Sequence, residues 1–496
     1  MSHEHVEVRT GTYHDSVTLM QASRSVASVD GVVAAQVAMG TPLNVDVLQG
    51  MGFSLPAGVG ASDLVVALRT DDEAALAAGL AAVDAALTSR SEGTSASTAE
   101  PPRTTGIALR RNASPLAVVS VPGPFALAEA MDAVAAGSSV MVFSDNVTVA
   151  EEVALKDAAA AQDVLVMGPD CGTAVVGGVG LGFANVVEPG PVSIVAASGT
   201  GAQQLMALLA HGGVGVRHCL GLGGRDLSAA VGGRSARQAL TALAADPGTE
   251  LVVVVSKPAD PDVVSALEHQ AAELDLAVEW ATLGPGRPDL TSAAERVIER
   301  LGGHTRLWPS WGPEQPRSPG HALRGLFCGG TLCDEAMLVA GELLGPIRSN
   351  IPLSSDLALD VSGAGRWDAG SDHAMVDFGD DALTRGRAHP MIDPSLRDER
   401  LAIEAADPRV GAILLDVVLG HGAHPDPAAE LGPAIEAALD GASQLAVVVS
   451  LTGTPADPQG FGRQAARLAE AGAQVHLSNA AAARAAAEAV RTKEPS

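Results

Sequence analysis

Short valine-rich runs that stop at small polar turns, each followed by an alanine-rich stretch of helical length, recur along nearly the whole chain and restrict it to the α/β class. The run 164–167 is apolar at every position, which suits a strand covered on both faces by helices. It leads into Gly168, Pro169, Asp170, Cys171, Gly172 and Thr173, a turn too small and too polar to be core. In open α/β sheets ligands collect outside the carboxyl ends of the strands, so this turn is a candidate ligand edge. A tight loop without a ligand is the structural alternative.

The pattern extends over 496 residues, enough for several domains. A first small α/β unit is expected over 1–90. Residues 91–106 are rich in Ser, Thr and Pro and read as a linker. The unit 107–188 contains three successive strand-and-helix pairs whose tips carry Pro122 and Gly123, then Ser144, Asp145 and Asn146, then the turn from Gly168 to Cys171. Glu151 and Glu152 open the helix after the second tip, where they favour its positive end. These tips are expected side by side on one edge of a doubly wound sheet.

A third unit, 189–306, begins with a strand ending at Ser198, Gly199, Thr200 and Gly201. Glycines and hydroxyls at a helix N-terminus favour anions, although no Gly-Lys-Ser/Thr follows as in a nucleotide-triphosphate loop. Gly223, Gly224 and Arg225 form a second glycine turn beside Asp226. After a linker at 307–321, the unit 322–492 repeats this plan, with Gly329, Gly330 and Thr331 echoing the loop at Ser198. Internal duplication of one flavodoxin-like domain is the reading. It implies either two facing half-sites or one site with an inert partner.

There are 58 acidic residues against 31 basic ones, a formal charge of −27. That sign excludes nucleic acid and anionic membrane as expected partners, because phosphate backbones demand the opposite charge. Small anions remain possible through backbone N–H groups and single arginines. Residues 385–393 add Arg387 and His389 on a loop stiffened by Pro390, and His421 and His424 stand at another strand tip. We therefore expect phosphate or a carboxylate to bind at Ser198, Gly199, Thr200, Gly201, Gly223, Gly224, Gly329, Gly330 and Thr331, with Arg225, Arg387 and His389 as catalytic residues.

The four cysteines are Cys171, Cys219, Cys328 and Cys333, too few for a disulfide framework. Cys328 and Cys333 are spaced more widely than ordinary zinc pairs, so no metal is expected. A Cys171 nucleophile is an alternative, but its place in the turn favours a structural role. The start of the sequence lacks a signal-peptide pattern and no apolar run reaches the length of a membrane span; a cytoplasmic protein is expected.

Segments 14–52, 119–123 (VSVPG), 142–147 (VFSDNV), 167–173 (MGPDCGT), 183–187 (FANVV), 196–201 (AASGTG), 326–332 (LFCGGTL) and 386–393 (GRAHPMID) together resemble the FdrA family, which is similar to succinyl-CoA synthetases. The resemblance implies a Rossmann-like CoA-binding-type domain followed by two flavodoxin-like domains of the synthetase type, the last similar to a CoA-ligase domain. It makes residues 167–171 the counterpart of a Gly-Pro-Asn-Cys turn with Asp170 in place of Asn, and residues 197–200 the counterpart of a phosphate loop. Neither the Gly-His-Ala-Gly segment that carries the synthetases' phosphorylated histidine nor an ATP-grasp stretch is found in the sequence. The resemblance accordingly implies carbamoyl transfer as a subunit of a complex, with phosphate as substrate: a small ureido acid, oxalurate, yields oxamate and carbamoyl phosphate. The alternatives are an acyl-CoA synthetase working with a separate ATP-grasp partner, for which CoA is the cofactor, and a non-catalytic subunit. A hetero-oligomer or a homodimer is expected.

Overall fold

The computed structural model describes residues 3–491, apart from 13, 15, 57, 89–101, 305–306, 315–319, 363–364, 385–387 and 442–443. The chain begins with β1 (His3–Arg9), α1 (Ser16–Ala27), β2 (Val32–Met39), α2 (Pro42–Gly50), β3 (Leu64–Thr70) and α3 (Glu73–Thr88). Its antiparallel sheet has the order β1-β3-β2. Alternate residues of β3 serve two cores, Leu64, Val66 and Leu68 facing Leu19 and Val26, and Val65 and Ala67 facing Leu48 and Phe53. Most of the proposed linker at 91–106 lies outside the described residues, and Thr105 already begins a helix.

The second unit comprises α4 (Thr105–Asn112), β4 (Leu116–Val119), α5 (Gly123–Ala135), β5 (Ser139–Val142), α6 (Val149–Ala161) and β6 (Val166–Met167). Its three strands are parallel in the order β4-β5-β6, as their apolar runs predict. Thr148 and Glu151 close a reciprocal capping box at the start of α6.

The unit then ends earlier than expected. β7 (Thr173–Val176) and β8 (Val179–Gly182) form a hairpin that joins the next sheet, β7 pairing antiparallel with β10 at Val175 and Cys219. Gly177 and Gly178, at φ +59° and +83°, supply the two left-handed positions that such a tight turn needs.

That sheet continues with β9 (Val192–Ala197), α7 (Gly199–His211), β10 (Val216–Gly221), α8 (Arg234–Ala244), β11 (Leu251–Ser256), α9 (Pro261–Glu273), β12 (Val278–Thr282) and α10 (Leu290–Arg300), in the order β12-β11-β9-β10-β7-β8. The last unit holds β13 (Ser310–Trp311), β14 (Ala322–Phe327), α11 (Gly330–Leu344), β15 (Ile347–Ser349), β16 (His373–Asp377), α12 (Asp381–Thr384), α13 (Ser395–Ala405), β17 (Val410–Val418), α14 (Pro427–Gly441), β18 (Ala446–Thr452), α15 (Phe461–Glu470), β19 (Gln474–His476) and α16 (Asn479–Val490). Its sheet order is β13-β19-β18-β17-β14-β16-β15. The strand β13 falls within the expected linker 307–321, pairing antiparallel with β19.

One continuous apolar core joins these last two units. Helix α7 is buried from Gly201 to Leu209, and its two glutamines are satisfied across the joint: Gln203 donates to the Leu419 carbonyl and Gln204 to that of Leu477. The last two units therefore share one packed core. Among the described residues no helix is long and apolar enough to cross a membrane.

Candidate functional site

The helices α7 and α11 meet N-terminus to N-terminus. Ser198 accepts the Gly201 N–H at 2.9 Å, capping α7, and its hydroxyl donates to Thr331 Oγ1 at 2.7 Å. Thr200 packs on Gly329, where an added methyl would lie 2.8 Å from its side chain. Ser198, Gly201 and Thr331, expected to face an anion, are thus buried in the joint and bonded within it. The Gly329 N–H is also taken, by Asp416 Oδ2 at 2.9 Å, while Asp416 Oδ1 accepts the Cys328 N–H and pairs with Arg397. At the start of α11 the position nearest the helix end is filled from within the chain: a methyl on Gly330 would lie 2.7 Å from Asp377 Oδ2. The α7 terminus, with Gly199 exposed and Thr200 half-buried, stays accessible.

Lys257 stands beside this pair. It follows β11, whose Ser256 is in register with Ala197 of β9, so the lysine emerges next to the α7 loop. Its Nζ would lie 2.9 Å from a methyl on Gly330 and enters no hydrogen bond or ion pair among the described residues. Burial works against its charge, but the carboxylates of Asp334, Asp377 and Asp170 outweigh burial and hold the ammonium above the ordinary lysine range. Burial in turn pushes Asp377 up to about 7 and Asp334 up to about 6, with Lys257 pulling both down. Burial, then the carboxylates of Asp381 and Asp145, push the Asp170 carboxyl upward, but the residue is exposed and solvent offsets that push.

The strand tips of the second unit form the opposite wall. Asp170 N–H donates to the Ser144 carbonyl and Cys171 N–H to that of Val142, placing the second and third tips side by side. Gly123 lies so close to the Asp145 and Asn146 carbonyls that a side chain would overlap them, which puts Pro122 and Gly123 on the same edge. Gly168 and Pro169 are buried, Asp145 and Asn146 exposed. The Cys171 thiol donates to the Thr173 carbonyl at 3.5 Å, and burial pushes it up to about 12, so it is part of the turn's shape.

Arg225 and Gly223 are structural ties rather than free anion ligands. Arg225 Nε donates to Glu152 Oε2 at 3.0 Å and Nη2 to the Val147 carbonyl at 2.8 Å. Glu152 is buried and also binds Lys156, which reaches Asp226, so the arginine ends an ion chain between the second and third units. At Gly223, φ +80°, a side chain would overlap the Pro169 carbonyl. Gly224 is exposed and has open space around it.

His389 borders the cleft, while Arg387 lies outside the described residues. The Met391 N–H donates to His389 Nδ1 at 3.2 Å, which leaves Nε2 to carry the proton near the Gly379 turn. Burial and the nearby Arg397 lower its pKa to about 4, keeping the ring neutral. Phe183 stands over it with ring centroids 6.1 Å apart, on a loop anchored by Asn185 and the Val186 N–H to Asp457. His424 is occupied by Glu430 at 3.2 Å, and His421 is exposed.

The site thus combines an open helix N-terminus, one ammonium, the Asp377 carboxyl pushed up to about 7 by burial and a neutral imidazole donor. Such a set can hold an anion, stabilise an oxyanion and move a proton. Lys257 is the residue that sequence reasoning missed. Its signal was a lysine at a strand tip in a chain with three lysines.

Residues 326–489 match the family model described as CoA-ligase, and residues 1–103 match one described as AllF, heavy metal-associated domain. The alpha subunit of succinate–CoA ligase (ADP-forming) from Methanothermobacter thermautotrophicus is 26% identical over 176 residues, covering 34% of this chain and 59% of that one. A solved dinucleotide-forming acetyl-coenzyme A synthetase 1 from Ca. Korarchaeum cryptofilum, in complex with phosphate and ADP, is 15% identical with a TM-score of 0.27, covering 76% of this chain and 82% of that one. A heavy metal does not fit the first unit: residues 1–103 contain no cysteine to supply a thiolate, and the described residues include no group of three or more His, Cys, Asp or Glu placed to hold a metal ion. The uncharacterized protein YahF of Escherichia coli (strain K12) is 36% identical over 499 residues, covering 94% of this chain and 95% of that protein, and the chain belongs to the YahF family.

Proposed function

We propose that this chain is an acyl-transfer subunit of the CoA-ligase type, holding phosphate or an acyl phosphate at the N-terminus of α7 beside Lys257. The observation that carries the reading is the Lys257 ammonium, which enters no hydrogen bond or ion pair among the described residues, lies against the start of α11 at Gly330, and follows the strand paired with the one that ends in the α7 loop. In the reaction, a thiol attacks the acyl carbon, a C–S bond forms and the C–O bond to phosphate breaks. The thiol proton passes to a carboxylate, for which Asp377, pushed up to about 7 by burial, is suited. CoA is the thiol this reading assigns, approaching over the tips at Gly123, Asp145 and Asp170. The matches to CoA-ligase and to a succinate–CoA ligase alpha subunit support it.

Calorimetric titration tests the proposal. Phosphate and CoA are each expected to bind the wild-type chain, and Lys257→Met is expected to weaken phosphate at least tenfold while leaving CoA unchanged. Binding of neither ligand rejects the reading.

His389 favours a second reading, the carbamoyl transfer implied by the FdrA resemblance. Its Nε2–H is a donor suited to a carbonyl oxygen or an oxyanion, and its occupied Nδ1 leaves it poorly placed to carry a phosphoryl group. Phosphate oxygen attacks the carbamoyl carbon of oxalurate, the C–N bond breaks, and the departing nitrogen takes a proton to give oxamate. Formation of carbamoyl phosphate without CoA, with or without partner subunits, selects this reading; its absence under both conditions removes it.

A further inference from the structure

Asp377 closes β16, and the neighbouring strand on one side of it stops short. β15 is the edge of the sheet, and its last pair with β16 is Ser349 with Met375. The N–H and C=O that Asp377 turns toward that edge would have no strand partner, in a residue only 5% exposed. The side chain of Asn350, the next residue after β15, supplies both missing bonds. Its Nδ2 donates to the Asp377 carbonyl and its Oδ1 accepts the Asp377 N–H, each at 2.9 Å. An amide is suited to this, because it carries a donor and an acceptor side by side.

On the other side the Phe378 N–H donates to the Phe327 carbonyl at 2.8 Å, and Asp377 Oδ1 accepts the Gly379 N–H at 2.9 Å. Asp377 Oδ2 makes no hydrogen bond among the described residues. It lies 2.7 Å from a methyl on Gly330, the same point that Lys257 Nζ approaches to 2.9 Å. A methyl on Gly379 would lie 2.8 Å from His389 Nε2. The segment 377–379 thus turns a carboxyl oxygen toward the ammonium and carries the turn beside the imidazole. We infer that Asn350 is a positioning residue of the site: by completing the ladder beyond the end of β15 it fixes which way the Asp377 carboxyl faces. The inference rests on the proposed function for what that carboxyl does, and on hydrogen-bond geometry for how it is held.

Asp377 is faced by the Lys257 ammonium from the tip of β11, by Asp416 on β17, by Asp380 on its own loop, and by Cys328 and Cys333 at the junction of β14 and α11, whose thiols burial pushes up. Burial dominates and holds its carboxyl high against the pull of Lys257 and the Gly379 N–H. Asn350→Ala opens the β15 side to water and weakens that burial. Asn350→Asp keeps an acceptor for the Asp377 N–H, loses the donor and sets a second carboxylate beside the first.

The test follows Asp377 by NMR in the full chain labelled with carbon-13 at its aspartate carboxyls, the signal being identified by its loss in Asp377→Asn. Asn350→Ala is expected to lower the titration midpoint of Asp377 by about one pH unit and Asn350→Asp to raise it, both in chains that still unfold cooperatively. An unchanged midpoint in both variants overturns the inference, and so does a shift in the same direction in both, the result of general loosening. Loss of cooperative unfolding in both makes Asn350 a stability residue and overturns it as well. The midpoint is read without ligand, so failure of phosphate and CoA to bind rejects the proposed function and leaves the result on Asn350 standing.

Discussion

The hydroxyl of Ser198 donates a 2.7 Å hydrogen bond to that of Thr331, 133 positions away, and both side chains are buried. The same oxygen caps α7 through Gly201, so one atom orders a helix terminus and joins the last two units. Ser198→Ala removes the cap, about 1 kcal/mol, and strands the Thr331 hydroxyl, about 1 kcal/mol more. A double-mutant cycle with Thr331→Val in urea should show a coupling of about 1 kcal/mol. Strict additivity would mean that the bond contributes nothing to the joint.

Lys156 is fully buried and bonds Glu152 and Asp226, each at 2.7 Å, and the Leu222 carbonyl at 3.1 Å. Lys156→Met leaves two buried carboxylates without their shared cation and should destabilise by about 3–5 kcal/mol. Arg225 ends the same chain with a side chain 43% exposed, where water can replace it; Arg225→Met should cost about 1 kcal/mol. Urea unfolding of the two variants checks the order, and equal losses would show that the chain is not anchored at its buried end.

The strand tips were legible because each is an apolar run closed by Gly, Pro or a short polar residue, a pattern set by local backbone chemistry. The hairpin at 173–182 was not read, although Gly177 and Gly178 between valines are its signal, because the strand it joins is distant in sequence, Cys219 pairing with Val175 across 44 positions. Side-chain roles were harder. Ser198 and Arg225 have the right chemistry for an anion, but the partners that occupy them, Thr331 and Glu152, are brought near only by packing. Lys257 shows the converse: nothing adjacent in sequence marks it, and its setting comes from β9, β11, β14 and β16 ending at one place.

Asp334 gives the cleft a measurable pH signature. Burial pushes its carboxyl up to about 6 against the pull of Lys257, so the folded chain binds a proton that the unfolded chain has released. The resulting stability is present below the ordinary carboxylate range and is lost as pH rises through 6. Asp334→Asn removes that titration and should stabilise the chain by roughly 2 kcal/mol at pH 8 relative to wild type, with little change at pH 4. Thermal unfolding at the two pH values decides; a constant difference between variant and wild type would assign the effect to packing.

His389 titrates in the opposite sense. Its folded pKa, lowered to about 4 by burial and Arg397, lies below the ordinary histidine value, so the unfolded chain takes up a proton first as pH falls. Stability from the neutral ring is complete above about 6.5 and declines as pH falls toward 4. Nitrogen NMR of the imidazoles should find His389 neutral at pH 5.5, with the proton on Nε2 because Met391 N–H occupies Nδ1. His389→Gln retains an N–H donor for the cleft and should reduce the acid sensitivity while keeping phosphate affinity within about threefold; His389→Leu removes the donor and should weaken an oxyanion-like ligand about tenfold, the size of one lost hydrogen bond. A protonated ring at pH 5.5, or equal ligand affinity in the Gln and Leu variants, would remove His389 from the chemistry of the cleft and leave it a packing residue beneath Phe183.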